Sequence, residues 1–470
     1  MHVKSNQDAR MNHVEAHAAQ PGATGTLAAA PSPAYSWSTT YISVQLKFAL
    51  ACAAAIVWAG LSSWLALPWI HQLTLLAGPE VAWFVVGGIA LIPGFMNAFL
   101  AASLLLDKRP PRSIPAQYPG ISILVAAYNE GGSIADTIES IAKSAYDGEF
   151  EVFVVDDGSS DATAATASAT AYPWLRVLRQ KENQGKAAAL NRALALAQFD
   201  LIVTLDADSY LYQDALQRLV ERYMADPPTT RAVAGAMLVR NSRDTWVAEA
   251  QEWDYFHGIS AVKRIQSLYQ GTLVAQGAFS IYERQMLNDI GGWDDCVGED
   301  IVLTWAILQA GWRVGHAEDA CCFTNAPPTL KQFTRQRQRW ARGMMEAFRR
   351  HWRILFAPRM STMFIWWNLM FPWLDIAYSV FFLPGVVLAL FGIFWIAGPM
   401  TLLLLPMALI MNLLMFRIGR RTFEAQGLHV RRNIPGFLIY AFAYSAILQP
   451  ACVWGYFSEL FGLSKTWGTK

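Results

Sequence analysis

Hydrophobic residues divide the chain into two apolar flanks and a more polar centre. Five apolar stretches are about as long as the ~20 residues that cross a bilayer as a helix. They lie at residues 44–67, 81–106, 370–396, 399–417 and 434–458. The pattern therefore predicts two transmembrane helices within 41–107 and three within 363–462, with a soluble domain between them.

The central domain alternates short apolar runs with helical repeats. The runs at 121–127, 151–155, 175–178, 201–205 and 231–240 are typical of buried strands, and Ile134, Ile138 and Ile141 mark one face of a helix. Strands that alternate with helices predict βαβ units and a mostly parallel sheet. We therefore expect a Rossmann-like α/β domain over residues 115–326, followed by amphipathic interface helices over 327–362.

Composition and charge agree with a membrane protein. The chain is 54% hydrophobic and 16% charged, against about 25% charged in ordinary soluble domains. Lys108, Arg109 and Arg112 follow the second span, and five arginines lie within 417–432. Cytoplasmic loops are enriched in such residues, so the soluble domain is predicted to be cytoplasmic. The net charge of +1 gives no reason to expect a nucleic-acid partner.

Neither the first 40 residues nor the cysteines predict a site. Residues 1–40 show no period and are predicted to form a disordered tail rather than a signal peptide. The five cysteines form no C-x-x-C pair, which favours reduced thiols over zinc or a disulfide framework. Cys296 lacks a histidine in a matching motif, so a catalytic thiol is disfavoured.

Two carboxylates, Asp206 and Asp208, follow the predicted strand at 201–205. Open α/β sheets bind ligands at this edge, and two acids at alternate positions can share one Mg²⁺ or Mn²⁺ with phosphates. The alternative is a solvated turn, because a D-x-D pattern recurs by accident. The chain contains neither G-x-G-x-x-G nor a P-loop, which disfavours a dehydrogenase or a P-loop ATPase.

Two further patterns carry candidate chemistry. Glu299 and Asp300 begin an apolar helix, where they could simply stabilise its N-terminus or supply a general base. The run Gln336-Arg-Gln-Arg-Trp340 lies in a basic amphipathic stretch, 331–353, which is also typical of a helix on anionic lipid.

Six motifs occur in order along the central region. They are Val125-Ala-Ala-Tyr-Asn-Glu130, Val155-Asp-Asp-Gly-Ser159, Asn183-Gln-Gly-Lys186, Asp206-Ala-Asp208, Gly298-Glu-Asp300 and Gln336-Arg-Gln-Arg-Trp340. With two spans before and three after, this set resembles the membrane-integrated family 2 glycosyltransferases, which polymerise sugars into β-linked chains. The layout is similar to the poly-N-acetylglucosamine synthases of this family.

The chain also departs from that branch of the family at two places. Ala275-Gln-Gly-Ala-Phe279 stands where Ser-Gly is expected, and Gly298 stands where Thr is expected. The Gly-Glu-Asp form is similar to chitin and hyaluronan synthases. These departures leave the sugar and the linkage open, but not the type of reaction.

The resemblance implies a GT-A fold and inverting transfer from a UDP-sugar, with UDP-N-acetylglucosamine as the expected donor and Mg²⁺ or Mn²⁺ as the metal. The donor-binding residues it implies are Tyr128, Glu130, Asp157, Lys186, Asp206 and Asp208. It implies that Asp206 and Asp208 hold the metal and that Asp300, beside Glu299, is the general base. It implies that Gln336, Arg339 and Trp340 hold the diphosphate and the acceptor.

The resemblance further implies an extracellular, biofilm-type polysaccharide made at a bacterial inner membrane. The expected partners are the growing polysaccharide and membrane lipid, and a small accessory subunit is left open. Three alternatives remain: transfer of a single sugar to a membrane lipid, a hyaluronan-, chitin- or cellulose-type synthase, and an inactive scaffold. The complete set Asp206, Asp208 and Asp300 argues against the scaffold.

Overall fold

The computed structural model describes residues 42–109, 114–398, 404–424, 428 and 432–463. The tail predicted at 1–40 lies outside these residues.

Eight strands form one mixed sheet, in the order β3-β2-β1-β4-β7-β6-β8-β5. Strands β3, β2, β1 and β4 are parallel neighbours, whereas β7 is antiparallel to both β4 and β6. The strands are β1 Ile121–Ala127, β2 Phe150–Asp156, β3 Leu175–Arg179, β4 Leu201–Asp206, β5 Ser209–Leu211, β6 Thr230–Val239, β7 Phe279–Glu283 and β8 Arg313–Thr324. The carboxyl ends of β1, β2 and β4 therefore share one edge of the sheet.

Seventeen α-helices flank and extend this sheet within the described residues. They are α1 Val44–Ala77, α2 Pro79–Val86, α3 Ile92–Leu106, α4 Ile134–Ala142, α5 Thr163–Ala169, α6 Lys186–Leu194, α7 Ala215–Ala225, α8 Trp246–Trp253, α9 Ser260–Leu268, α10 Arg284–Ile290, α11 Glu299–Gln309, α12 Leu330–His351, α13 Thr362–Ile376, α14 Leu383–Leu390, α15 Leu404–Glu424, α16 Ile434–Ile439 and α17 Ser445–Leu460. Four π-helical segments join consecutive helices, at Gly87–Leu91, Asp254–Ile259, Ala377–Phe382 and Tyr440–Tyr444, and a 3₁₀ helix covers Trp352–Phe356.

The two faces of the sheet bury separate apolar clusters. Along β1, Ile123 and Val125 point to one cluster and Leu124 to the other, as the two-residue period of a strand requires. The cluster that contains Leu124 continues through α11 to Phe99 and Phe364 in two long apolar helices, α3 and α13. One face of the sheet is thus packed towards the apolar helical part of the protein.

Within the described ranges, four helices are long and apolar enough to cross a membrane: Val44–Ala77, Pro79–Leu106, Thr362–Leu390 and Ile434–Leu460. The third begins and ends earlier than the predicted span at 370–396. The span predicted at 399–417 lies partly outside the described residues. The helix seen there, α15, carries arginines from position 417 onwards, so the fifth span stays a prediction.

The predicted interface helix is α12, which is 22 residues long. It begins where the Thr329 hydroxyl accepts a hydrogen bond from the Gln332 N–H at 3.3 Å, an N-cap interaction. It packs against α11 of the α/β domain and against α17 of the last candidate span. The helix that carries Gln336, Arg339 and Trp340 therefore connects the α/β domain to a candidate membrane helix.

Candidate active site

The loops after β1 and β2 are hydrogen-bonded to each other at the shared edge of the sheet. The Asn129 N–H donates to Ser159 Oγ at 2.9 Å, and the Glu130 N–H donates to Thr163 Oγ1 at 2.8 Å. The Glu130 carboxylate accepts from Ser133 Oγ at 2.7 Å. Tyr128 precedes them with 37% of its surface exposed. Tyr128 and Glu130, two predicted donor-binding residues, thus lie at the open edge.

Asp157, a third predicted donor-binding residue, is buried and organises the loop before α6. Its Oδ1 accepts from Gln180 Nε2 at 2.6 Å and from the Gln184 N–H at 2.8 Å, and its Oδ2 accepts from the Gly185 N–H at 2.8 Å. Burial raises the pKa of Asp157, and these three hydrogen bonds oppose that rise. The visible role of Asp157 is to fix the backbone directly ahead of Lys186, and its contact with a nucleoside stays a prediction.

Lys186 joins three of the predicted motifs. Its Nζ lies 2.6 Å from Asp206 Oδ1 and 3.4 Å from Glu299 Oε1. Burial alone would lower the pKa of Lys186, but Asp206 and Glu299 raise it above its ordinary value. A side chain at Gly277 would come within 2.7 Å of Lys186 Nζ, so the Gln-Gly segment before β7 leaves room for this ion cluster.

Replacing Lys186 by Met should make stability fall with rising pH. Burial raises the pKa of Glu299, and Lys186 is the first of the groups that lower it. Without that cation the folded carboxyl holds its proton above the ~4.3 of an unfolded glutamate. Loss of Lys186 raises the folded-state pKa of Glu299 further than in wild type, so folded K186M holds this proton to higher pH. The melting temperature of K186M, relative to wild type, should therefore fall as the pH rises through that folded-state pKa. Thermal unfolding in lipid nanodiscs measures this.

The double variant K186M/E299Q is the control for that experiment, because a glutamine has no charge to desolvate. Its melting temperature should lose the added pH slope. A slope that persists in the double variant would show that Glu299 is not the responsible group.

Glu299 and Asp300 occupy the first turn of α11, after Gly298 as the N-cap. Glu299 is buried and Asp300 is half-buried. The backbone here is fixed, because Thr304 Oγ1 donates to the Asp300 carbonyl at 2.6 Å and accepts from the Ala275 N–H at 2.9 Å. The two acids begin the helix, and their negative charges also raise the pKa of Lys186. A helix-capping role and a functional role are therefore compatible.

Helix α12 contacts the backbone of this acidic turn. Glu346 Oε2 accepts a hydrogen bond from the Gly298 N–H at 3.1 Å. Gly298 also lies directly against Gly343, where a Cβ on Gly298 would be 2.5 Å from the Gly343 Cα. The close contact of two glycines sets the position of α12 on the start of α11.

Two of the predicted diphosphate residues on α12 have buried polar atoms without a partner in the described part of the chain. Gln336 Oε1 and Arg339 Nε are buried with no hydrogen-bond partner among the residues that the structure describes. The charge of Arg339 lowers the pKa of Glu299, although burial, the largest influence, raises it. Burial also raises the pKa of Tyr255, and both Asp208 and Arg339 act on that hydroxyl. Arg339 is therefore close to both acidic motifs.

Trp340 and Arg337 complete this end of the site. Trp340 is 39% exposed, and the Arg337 guanidinium carbon lies 4.2 Å from the centroid of its ring. Sequence reasoning missed Arg337, since it occupies an unspecified position of the motif. A basic residue at i−3 from the tryptophan on a helix was the available signal.

A divalent cation fits the donor set at the end of β4. Asp206 and Asp208 are both partly exposed there, and their carboxylate oxygens are the ligands that Mg²⁺ and Mn²⁺ prefer. In the described part of the chain, no group of three or more histidine, cysteine, aspartate or glutamate side chains is arranged so that it could hold a metal ion by itself. A metal held by these two residues would share its coordination with substrate phosphates. Burial raises the pKa of the Cys296 thiol to about 12, which disfavours the thiolate that a nucleophile requires.

The sheet topology and the acids at its edge define a GT-A glycosyltransferase fold, as predicted. The mannosyltransferase PcManGT from Pyrobaculum calidifontis, solved in complex with GDP-mannose and Mn²⁺, matches with a TM-score of 0.52 and 19% identity. The match covers 90% of this chain and 100% of that one. Residues 119–343 match the family described as glycosyltransferase like family 2.

Poly-β-1,6-N-acetyl-D-glucosamine synthases are similar in sequence. The enzyme of Staphylococcus aureus strain MSSA476 is 32% identical over 247 residues, which are 52% of this chain and 59% of that enzyme. The enzyme of Staphylococcus epidermidis strain ATCC 35984 is 32% identical over 240 residues, 50% of this chain and 57% of the relative. The match spans somewhat more than half of each relative. The predicted fold is confirmed, and these matches agree with the predicted family.

Proposed function

We propose that this protein is a membrane-embedded, processive, inverting glycosyltransferase. It polymerises UDP-N-acetylglucosamine into a β-linked extracellular polysaccharide. The observation that carries the proposal is the ion cluster of Lys186, Asp206 and Glu299, which lies near Arg339. Arg339 belongs to helix α12, and this helix packs against the last candidate span. The similarity to poly-β-1,6-N-acetyl-D-glucosamine synthases supports the choice of sugar.

The donor binds along the open edge of the sheet. Tyr128 and Glu130 contact the nucleoside, and Lys186 lies where it can reach the diphosphate. Gln336 Oε1 and Arg339 Nε are buried and without a partner in the described residues, so Arg339 is available to phosphate oxygens and Gln336 to a hydroxyl donor. Asp206 and Asp208 would hold Mg²⁺ or Mn²⁺, which would neutralise charge on the leaving diphosphate.

The transfer needs one base and one flat surface. Asp300 accepts the proton of the acceptor hydroxyl as that oxygen bonds to the anomeric carbon. The bond between this carbon and UDP breaks, and UDP leaves with its electron pair. A single displacement inverts the centre, so an α-linked donor gives a β-linked product. The exposed part of the Trp340 ring offers an apolar face for a sugar of the acceptor chain.

The membrane helices provide the exit for the product. Positive residues after the second span favour a cytoplasmic catalytic domain in a bacterial inner membrane. Helix α12 packs both on the catalytic turn of α11 and on the last candidate span. A polymer that grows beside Trp340 therefore starts next to the membrane helices through which it leaves.

The test uses the full chain in lipid nanodiscs with Mg²⁺ or Mn²⁺. UDP-N-acetylglucosamine, UDP-glucose and UDP-glucuronate are supplied singly and in pairs, and both UDP release and product length are measured. A long polymer from UDP-N-acetylglucosamine alone is the expected result. Asp300→Asn is the inactive control, and Asp289→Asn is the matched control, because Asp289 is exposed and bonded to Gln285 on α10.

Other outcomes of the same assay separate the alternatives. Single-sugar lipid products would replace this proposal with transfer to a membrane lipid. A requirement for two donors would indicate a hyaluronan-type product. No UDP release from any donor, with or without a membrane accessory subunit, would overturn the proposed function.

A further inference from the structure

Arg337 belongs to a network of three buried side chains, although its Nε has no hydrogen-bond partner among the described residues. Arg337 is 4% exposed, and its Nη2 donates to Asp254 Oδ2 at 2.7 Å and to the Tyr444 hydroxyl at 2.9 Å. The Tyr444 hydroxyl in turn donates to the same Asp254 oxygen at 2.9 Å. Each of the three side chains thus contacts the other two.

The same guanidinium contacts aromatic rings. Its central carbon lies 4.2 Å from the centroid of the Trp340 ring and 5.0 Å from that of Phe333, one helical turn on either side. Stacking on an aromatic face is a preferred contact of the planar guanidinium. Since Asp254 and Tyr444 fix the guanidinium, the face of Trp340 that it covers is fixed with it.

The three polar residues belong to three different parts of the molecule. Arg337 lies on the interface helix α12, Asp254 starts the π-helical segment Asp254–Ile259 of the soluble domain, and Tyr444 ends the segment Tyr440–Tyr444 of the last candidate span. Single π-helical turns within α-helices occur frequently at functional sites. The network therefore joins the catalytic domain, the interface helix and the membrane span at one point beside Trp340.

A buried ion pair is weak evidence for stability, because desolvation of the two charges offsets their attraction. It does restrict geometry, since each partner must keep its place for the other to stay neutralised. A role in positioning thus accounts for this network better than a role in stability alone.

We propose that Arg337, Asp254 and Tyr444 form a positioning unit that holds the Trp340 ring in the orientation that receives the acceptor sugar. The unit rests on the proposed function and deepens it. It governs how well the growing chain is retained between transfers, and therefore the length of the product. The positioning unit does not take part in donor binding at Lys186, Asp206 and Arg339.

Two variants of this unit test the proposal. Arg337→Lys keeps the charge but loses the planar stack and the forked donor geometry. Tyr444→Phe removes one hydroxyl from the network. We expect the KM for UDP-N-acetylglucosamine to stay within about twofold of wild type. The turnover number and the mean product length should fall by about tenfold in R337K and less in Y444F, because small misplacements at a reacting centre reduce the rate strongly.

Tyr456→Phe is the matched control. The Tyr456 hydroxyl donates to Asp375 Oδ2 at 2.8 Å, and the substitution removes this hydrogen bond. Tyr456 lies in α17 of the last candidate span, but it takes no part in the network around Arg337. We expect the product length of Y456F to match wild type, and that of Y444F to be shorter. This difference should remain even if Y444F and Y456F have the same melting temperature. Equal shortening in Y444F and Y456F, or unchanged product length in R337K, would overturn the positioning role. A wild-type protein without transferase activity would instead refute the proposed function itself.

Discussion

We expect Asp300→Asn to lower the rate of sugar transfer by about 10²–10⁴-fold, the contribution of a positioned general base, if Asp300 is the base of the proposed reaction. An amide has the size of the carboxyl but cannot accept the proton of the acceptor hydroxyl. Asp300 sits at a fixed point, because Thr304 Oγ1 donates to its carbonyl at 2.6 Å. We therefore expect the variant to fold and to bind UDP-N-acetylglucosamine about as tightly as wild type. Single-turnover kinetics and calorimetric titration with UDP separate the chemical step from binding.

The alternative to this assignment is that the neighbouring Glu299, and not Asp300, is the general base. Glu299 is buried, and its Oε1 lies 3.4 Å from Lys186 Nζ. We expect Glu299→Gln to weaken donor binding by loosening Lys186 but to spare most of the chemical step. If Glu299→Gln instead abolished transfer at normal donor affinity, and Asp300→Asn did not, Glu299 would be the base. Asp289→Asn should leave both measurements unchanged.

The parallel half of the sheet could be predicted from sequence because its strands are almost wholly apolar. Strands β1, β2 and β4 agree with the predicted runs to within one residue at each end. Strand β8 was missed, since Glu318 and Asp319 interrupt its apolar pattern where its pairing with β6 shifts register. Strand β5 has only three residues, too few for a period to be visible.

The motifs were visible in sequence, but their contacts were not. Nothing local indicates that Lys186 meets both Asp206 and Glu299, because these residues come from separate parts of the fold. Arg337 looked like one cation among many in a basic helix, and its buried partners Asp254 and Tyr444 lie more than 80 positions away. Such long-range pairings are set by tertiary packing, which local sequence patterns do not reveal.

Gly298→Thr introduces the residue that the family resemblance led us to expect, and here it should be strongly damaging. A Cβ at this position would lie 2.5 Å from the Cα of Gly343 and 2.9 Å from a side-chain carbon of Ile301. Backbone atoms of α12 cannot rotate away as a flexible side chain would. The added atoms must therefore push α12 from the start of α11, at a cost of about 1–3 kcal/mol in unfolding free energy.

The displacement should affect activity more than stability. In the proposed reaction, Asp300 on α11 is the base and Arg339 on α12 contacts the diphosphate, and a shift of about 1 Å between reacting groups can reduce a rate about 100-fold. We expect a loss of that order in polymer synthesis, measured beside the melting temperature in nanodiscs.

Gly60→Thr is the matched control, because a Cβ at Gly60 meets no atom within 4 Å. It carries the same substitution at an open position of α1 and should leave both readouts near wild type. If Gly298→Thr were as active as Gly60→Thr, the contact between Gly298 and Gly343 would not set the distance between base and diphosphate residues. In that case the hydrogen bond from the Gly298 N–H to Glu346 would be the remaining contact that could align α12 with the acidic turn.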